Sequence, residues 1–390
     1  MENLKNYVKN YIKDYINESV WDIEDNVDDN NEEMVKGEIL KFLDEFYFCE
    51  QRFKNTVPSQ TVQITTNKNQ IIVNCHCSVH TANDITVLTN GLFEWGEVKG
   101  DFNCSGSLKL ESLQGAPEYV SGNFNCGFCV NLKNLEGAPK EVGGGFHCRY
   151  CSKLESLKGA PKIVGGDFDC PNCPITTLEG APERVGGNFS CGYCPSLKSL
   201  KGAPKEVGGD FRCTICPELE TLKGAPQVVR GVFDCSECPE LTSLKGVPNE
   251  IGKSFSCSKC GELKSLKGAP KTIGRDFNCS GCSITTLEGA PEKVNDYFNC
   301  SECPNLTSLK GAPRKVGKSF DCHECPKLTS LEGAPGEVGM SFDCSHCKKL
   351  VTLKGAPEEV GWIFDCEKCP KLKSLDGVPK VGFRVKSDIK

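Results

Sequence analysis

The sequence predicts a repeat solenoid, mainly β, with short parallel strands, irregular or short helical return segments, and a small α-helical segment at the N-terminus. Three observations carry that expectation. A unit of 21–22 residues recurs from Phe102 to the C-terminus, seen cleanly as D-F-D-C-P-N-C-P-I-T-T-L-E-G-A-P-E-R-V at 167–185. Each unit places Phe and Cys two residues apart, which points both side chains to one face of an extended segment. Each then closes on Gly-Ala-Pro, or Gly-Val-Pro, a sequence that cannot be a strand interior, since Pro lacks the amide donor and Gly is permissive of turns. A fixed period of this length means that each turn buries its apolar side only by stacking on its neighbours.

The chain divides into residues 1–50, 51–100 and 101–390. In the first, Leu4, Tyr7, Val8, Tyr11, Ile12, Tyr15, Ile16 and Val20 fall at helical spacing, and Val35, Ile39, Leu43 and Phe46 repeat it. An acidic, Asn-rich run separates the two, so the segment reads as an acidic helical hairpin, with 14 Asp/Glu against 5 Lys. Asp22, Glu24, Asn26 and Glu33 approach the spacing of a calcium loop, but Val27 stands where its sharp turn needs Gly. A solvated turn is the expectation there.

Residues 51–100 read as a bridge that caps the first turn. Thr61–Thr65 and Gln70–Asn74 alternate like strands, and 97–102 approaches a repeat strand. Cys75, His76, Cys77 and His80 are candidate zinc ligands, against the plainer reading of a capping strand.

From Phe102, thirteen copies follow, marked by Phe102, Phe124, Phe146, Phe168, Phe189, Phe211, Phe233, Phe255, Phe277, Phe298, Phe320, Phe342 and Phe364. Twelve carry Cys-x-x-Cys: Cys126 and Cys129, Cys148 and Cys151, Cys170 and Cys173, Cys191 and Cys194, Cys213 and Cys216, Cys235 and Cys238, Cys257 and Cys260, Cys279 and Cys282, Cys300 and Cys303, Cys322 and Cys325, Cys344 and Cys347, and Cys366 and Cys369. The first copy has Cys104 and Ser107. Paired Leu residues form a second apolar wall and the Val or Ile after Pro a third. At the end, 381–385 reads as an imperfect repeat with Val385 in the first-Cys position and facing the core.

The F-x-C-x-x-C-x-x-L core resembles the strand core of leucine-rich repeats, with Phe and the first Cys at the Leu positions and the second Cys at the Asn/Cys position. The 21-residue copies, with Ile175 and Ile284, match that register; the others insert one residue. The unit looks like the leucine-rich-repeat-like arrays of giant viruses and large phages. That resemblance specifies architecture and says almost nothing of activity; a viral origin would imply a host cytoplasm or virion, and a non-enzymatic scaffold is expected because no catalytic motif is found.

Twenty-eight cysteines usually mean a disulfide scaffold, but the Met-Glu-Asn-Leu-Lys opening reads as no secretory leader, and a reducing cytoplasm is expected. Three readings of the thiols stay open. Free cysteines pack as small hydrophobes. Adjacent Cys-x-x-Cys turns offer four sulfurs to zinc or an iron–sulfur cluster, at a cost in repulsion between neighbouring anionic sites. Disulfides within a turn are the third. The expectation is no cofactor, with zinc or iron–sulfur as the alternative. The net charge of −6 and the lack of a basic stripe argue against nucleic-acid binding, and no apolar run is long enough to span a membrane.

No nucleophile–base pair or phosphate loop stands out. His147, His323 and His346 occupy variable positions where a solvated side chain is expected. The residue between Phe and Cys points outward and ends in three consecutive acids, Asp321, Asp343 and Asp365; the plainer reading is a solvated row that keeps the array soluble, and the functional one is a basic protein partner.

Overall fold

The computed structural model describes residues 46–49, 62–67, 70–75, 78–81, 85–89 and 93–389. The chain separates into two compact units, residues 1–175 with 179–187, and residues 176–178 with 188–390. Each unit is a parallel β-solenoid. Strands of two residues, such as Phe146–His147, pair in register with their equivalents 21 or 22 residues away. No helix occurs among the described residues, so the return segments are turns and not helical. Nor do these residues hold a helix long and apolar enough to cross a membrane.

One turn of the solenoid follows from its sequence. Phe and the first Cys face inward with 0 % exposure through most of both units, while the residue between them is half-buried on the outer side. The backbone bonds laterally: Phe146 N–H donates to Asp167 O at 2.7 Å and Cys148 N–H to Asp169 O at 2.8 Å. Register stacks the Phe rings in columns, with centroids 5.2–5.5 Å apart in the first unit and 5.1–5.8 Å in the second. Two tight turns carry the chain back. Leu132 N–H donates to Cys129 O and Ala138 N–H to Leu135 O, both at 3.0 Å. The second turn has its Gly at the third position with positive φ, the type II pattern. At Gly159, φ is +93° and a Cβ would lie 2.5 Å from Glu136 Cα of the preceding turn, so both conformation and space demand glycine. The buried Val that follows opens the second strand row, as in Glu141–Val142. Ile175 and Ile284 are fully buried at the Leu position, so the 21-residue copies keep the same interior with a shorter return.

The N-terminal end differs from expectation in two ways. Helical spacing in the sequence extends through Phe46, but Phe46–Cys49 is a strand, β1, paired antiparallel with Ser78–Thr81, β4. The helical expectation for residues 1–45, and with it the calcium-like run, lies outside the described residues. The array also starts a turn earlier than Phe102. Strand β4 pairs parallel with Phe102–Asn103, putting Val79 opposite Phe102 and His80 opposite Asn103. Val79 and Thr81 thus take the places of Phe and Cys; both are buried. The expected strands at 61–65 and 70–74 are present as Val62–Asn67, β2, and Gln70–Cys75, β3, an antiparallel hairpin. Strand β3 pairs parallel with Glu94–Val98, β5, and continues the second row. Trp95 in β5 lies edge-on to Phe102, with its Nε1–H donated to Leu88 O at 2.7 Å.

The C-terminal register also needs correction. Val385 pairs with Phe364, so it occupies the Phe position and not the first-Cys position. Spacing decides this. Val381 pairs with Val360, and the residue in the Phe position follows four positions later in both turns, Phe364 buried and Val385 half-buried. Phe383, which suggested the other alignment, is 70 % exposed.

Candidate functional site

The site built by this architecture is the outward row of the Phe strands. In the first unit it runs His80, Asn103, Asn125, His147 and Asp169. In the second it runs Ser190, Arg212, Asp234, Ser256, Asn278, Asn299, Asp321, Asp343, Asp365 and Lys386.

Local geometry explains why Asp and Asn recur there. The side-chain oxygen accepts the N–H two residues on, as in Asn125 to Gly127 at 2.9 Å, Asn278 to Ser280 at 3.0 Å, Asp321 to His323 at 3.0 Å and Asp343 to Ser345 at 2.8 Å. This Asx turn satisfies an amide at the point where the strand bends toward the second Cys. The next residue takes a left-handed conformation: Tyr150, Ile215, Glu324 and Lys368 have φ between +53° and +58°. Sequence reasoning did not detect that bend, because Gly, the residue that advertises it, stands there only in Gly106 and Gly281.

The histidines are not merely solvated. His147 Nδ1 lies 2.8 Å from Asp169 Oδ2, and His80 Nδ1 lies 3.3 Å from Asn103 Nδ2. His323 Nδ1 lies 2.7 Å from Asp321 Oδ1. Burial raises the Asp321 carboxyl above its ordinary range despite the hydrogen bonds from His323. Burial also opposes charge on His323, but the Asp321 contact and the nearby Asp343 and Glu324 outweigh it and hold the imidazole above its usual range. Asp365 Oδ2 is met by Lys386 Nζ at 3.0 Å. His80 is therefore on the outward row, whereas the structural description does not extend to His76 and Cys77.

The cysteines lie on the other side of the strand. Those from Cys104 to Cys369 are buried thiols outside any disulfide. The second Cys of a turn donates its Sγ–H to the carbonyl of the first Cys in the preceding turn. Examples are Cys129 to Cys104 O at 3.2 Å, Cys238 to Cys213 O at 3.3 Å and Cys347 to Cys322 O at 3.3 Å. Several first cysteines donate as well, Cys300 to Asp321 O and Cys344 to Asp365 O among them. The buried Ser107 replaces the second Cys with another donor-bearing side chain, its Oγ lying 3.3 Å from Thr81 Oγ1. Burial pushes the thiols of Cys148, Cys235, Cys300, Cys322 and Cys344 well above the ordinary range. The thiolate is the reactive and coordinating form, and the ladder is not uniform in this respect: side-chain hydrogen bonds with Cys104, Cys216 and Cys257 lower the thiols of Cys129, Cys238 and Cys282.

No protein-family model, curated protein or solved structure matches this chain.

Proposed function

We propose that the chain is a non-enzymatic repeat scaffold whose outward strand row binds a protein partner. The observation that carries this reading is the contrast between the two sides of the Phe strand. Its interior repeats Phe and Cys turn after turn, while the outward row, in register above it, changes among Asp, Asn, Ser, Arg and His. A fixed frame under a varied polar face suits recognition more than chemistry.

In this reading Asp321, Asp343 and Asp365 meet a basic partner, and charge complementarity mainly speeds association. The resemblance to leucine-rich repeats of the giant-virus and large-phage type belongs to the same proposal, as does a reducing cytoplasm or virion in which the thiols stay reduced. The cysteine ladder acts as packing and as a set of backbone-satisfying donors.

The test exchanges Asp321, Asp343 and Asp365 for Asn. Asn278 and Asn299 show that Asn keeps the Asx turn, so three charges are lost without loss of the cap. Partner capture from the producing cells is expected to fall and to lose its salt dependence. Unchanged capture and salt dependence would remove the acidic end as the binding site. Elemental analysis of protein purified without oxygen is the companion measurement. A metal content approaching one ion or cluster per pair of Cys-x-x-Cys turns would reassign the thiols to zinc or iron–sulfur sites.

A further inference from the structure

We propose that Asp321, His323 and Asp343 form a binding site for a divalent transition cation, held through two carboxylates and one imidazole. This inference does not rest on the protein-binding reading. One ligand atom from each of the three residues lies within 4.8 Å of the other two. Asp321 and Asp343 face each other in register on adjacent parallel strands, and His323 is supplied by the bend that follows Asp321.

Charge along the row shows what this position needs. Directly stacked like charges are unfavourable. Asp234 has Arg212 on one side and Ser256 on the other, and Asp365 is met by Lys386. Asp343 stacks directly on Asp321 on one side and on Asp365 on the other; Lys386 meets Asp365, and the His323 imidazole meets Asp321.

The donor set fits a small cation. His323 Nδ1 and Asp321 Oδ1 stand 2.7 Å apart, a separation that one shared proton bridges. Two neighbouring ligands on an ion at about 2.1 Å each would stand about 3 Å apart, so a shift of a few tenths of an ångström admits the ion in place of that proton. The proton passes to water, and the nitrogen and oxygen lone pairs go to the metal. Side-chain exposures of 30 % for His323 and 31 % for Asp321 leave the site open to solvent, so water can complete the coordination. Two oxygens and a nitrogen suit Mn²⁺ or Zn²⁺, whereas the buried thiols favour softer ions.

Mn²⁺ is therefore the probe, titrated into the reduced full-length chain and followed by electron paramagnetic resonance. One ion per chain is expected. Asp343→Asn and His323→Gln should each weaken it by at least about tenfold. Asp365→Asn, next in the acidic row but paired with Lys386, should leave affinity within about threefold, well short of the loss of a ligand. Equal losses for Asp343→Asn and Asp365→Asn would mean diffuse attraction to an acidic row and overturn the site. So would wild-type affinity in His323→Gln, or no bound Mn²⁺ at millimolar concentration. Circular dichroism of each variant separates loss of the site from loss of the fold. Absence of Mn²⁺ binding by the wild-type chain while its partner capture is intact would be failure of the metal proposal alone.

Discussion

At the scale of single residues, the Cys-x-x-Cys spacing is a way of turning a strand while closing hydrogen bonds. The residue before the second Cys pays for the bend with a left-handed backbone, and a β-branched side chain suffers most there. Ile215, at φ +55°, is the clearest case. Ile215→Gly is expected to stabilise the second unit by about 1 kcal/mol, read as a higher urea midpoint. The thiol on the far side of the bend has a separable role. Cys238→Ala removes the donor to Cys213 O and should cost about 1–3 kcal/mol, whereas Cys238→Ser retains a donor and should cost less. If the two variants unfold at the same urea concentration, the thiol hydrogen bond contributes nothing and packing alone explains the cysteine. The sequence displayed the cysteines but not their partners. A carbonyl one turn away has no signature in composition, and neither has a bend that Gly seldom marks.

At the scale of the element, each turn is a strand of two residues that has no stability of its own. Its worth comes from the Phe column and the lateral backbone bonds. Phe255 lies 5.8 Å from Phe233 and 5.5 Å from Phe277, with no exposure. Phe255→Ala is expected to destabilise by about 3–5 kcal/mol. Because repeats couple mainly to nearest neighbours, hydrogen exchange should accelerate around residues 233–277 and leave 102–168 protected. Uniform acceleration would contradict that coupling. The ends of the array depart from the sequence pattern for the same reason. The column accepts Val79 and Val385 where the pattern has Phe, so residue identity misleads there while spacing does not. Counting four positions from Val381, the partner of the buried Val360, finds Val385; following the aromatic finds Phe383, which lies tilted against Trp362 with centroids 6.1 Å apart. The outward row was legible by alternation alone. Its pairings, His147 with Asp169 and Lys386 with Asp365, were not, because they join residues 21 or 22 positions apart whose neighbourhood depends on the turn register.

At the scale of the whole molecule, the consequence of so many buried thiols is a dependence on alkaline pH. An unfolded thiol ionises near pH 8.5. In the folded chain burial holds many thiols protonated well beyond that, including Cys148, Cys235, Cys279, Cys300, Cys322 and Cys344, and pushes Cys303 up to about 12 and Cys369 to about 11. Below about pH 8.5 folded and unfolded chains both hold the protons of these raised thiols, so their contribution to stability is complete; Cys129, Cys238 and Cys282, lowered by side-chain hydrogen bonds with neighbouring cysteines, do not share in it. Above it the unfolded chain gives up protons that the folded chain keeps, and stability falls as pH rises until the folded thiols titrate. Each such thiol contributes a slope of about 1.4 kcal/mol per pH unit. Several acting together exceed the usual net stability of a domain, about 5–15 kcal/mol, within one or two pH units. Under reductant, circular dichroism should therefore show a cooperative loss of β structure beginning between about pH 9 and pH 10, with thiolate absorbance appearing in the same transition. Thiolate absorbance that develops fully while the β signal persists would show that the thiols ionise within the folded chain, and that their burial does not hold the solenoid together.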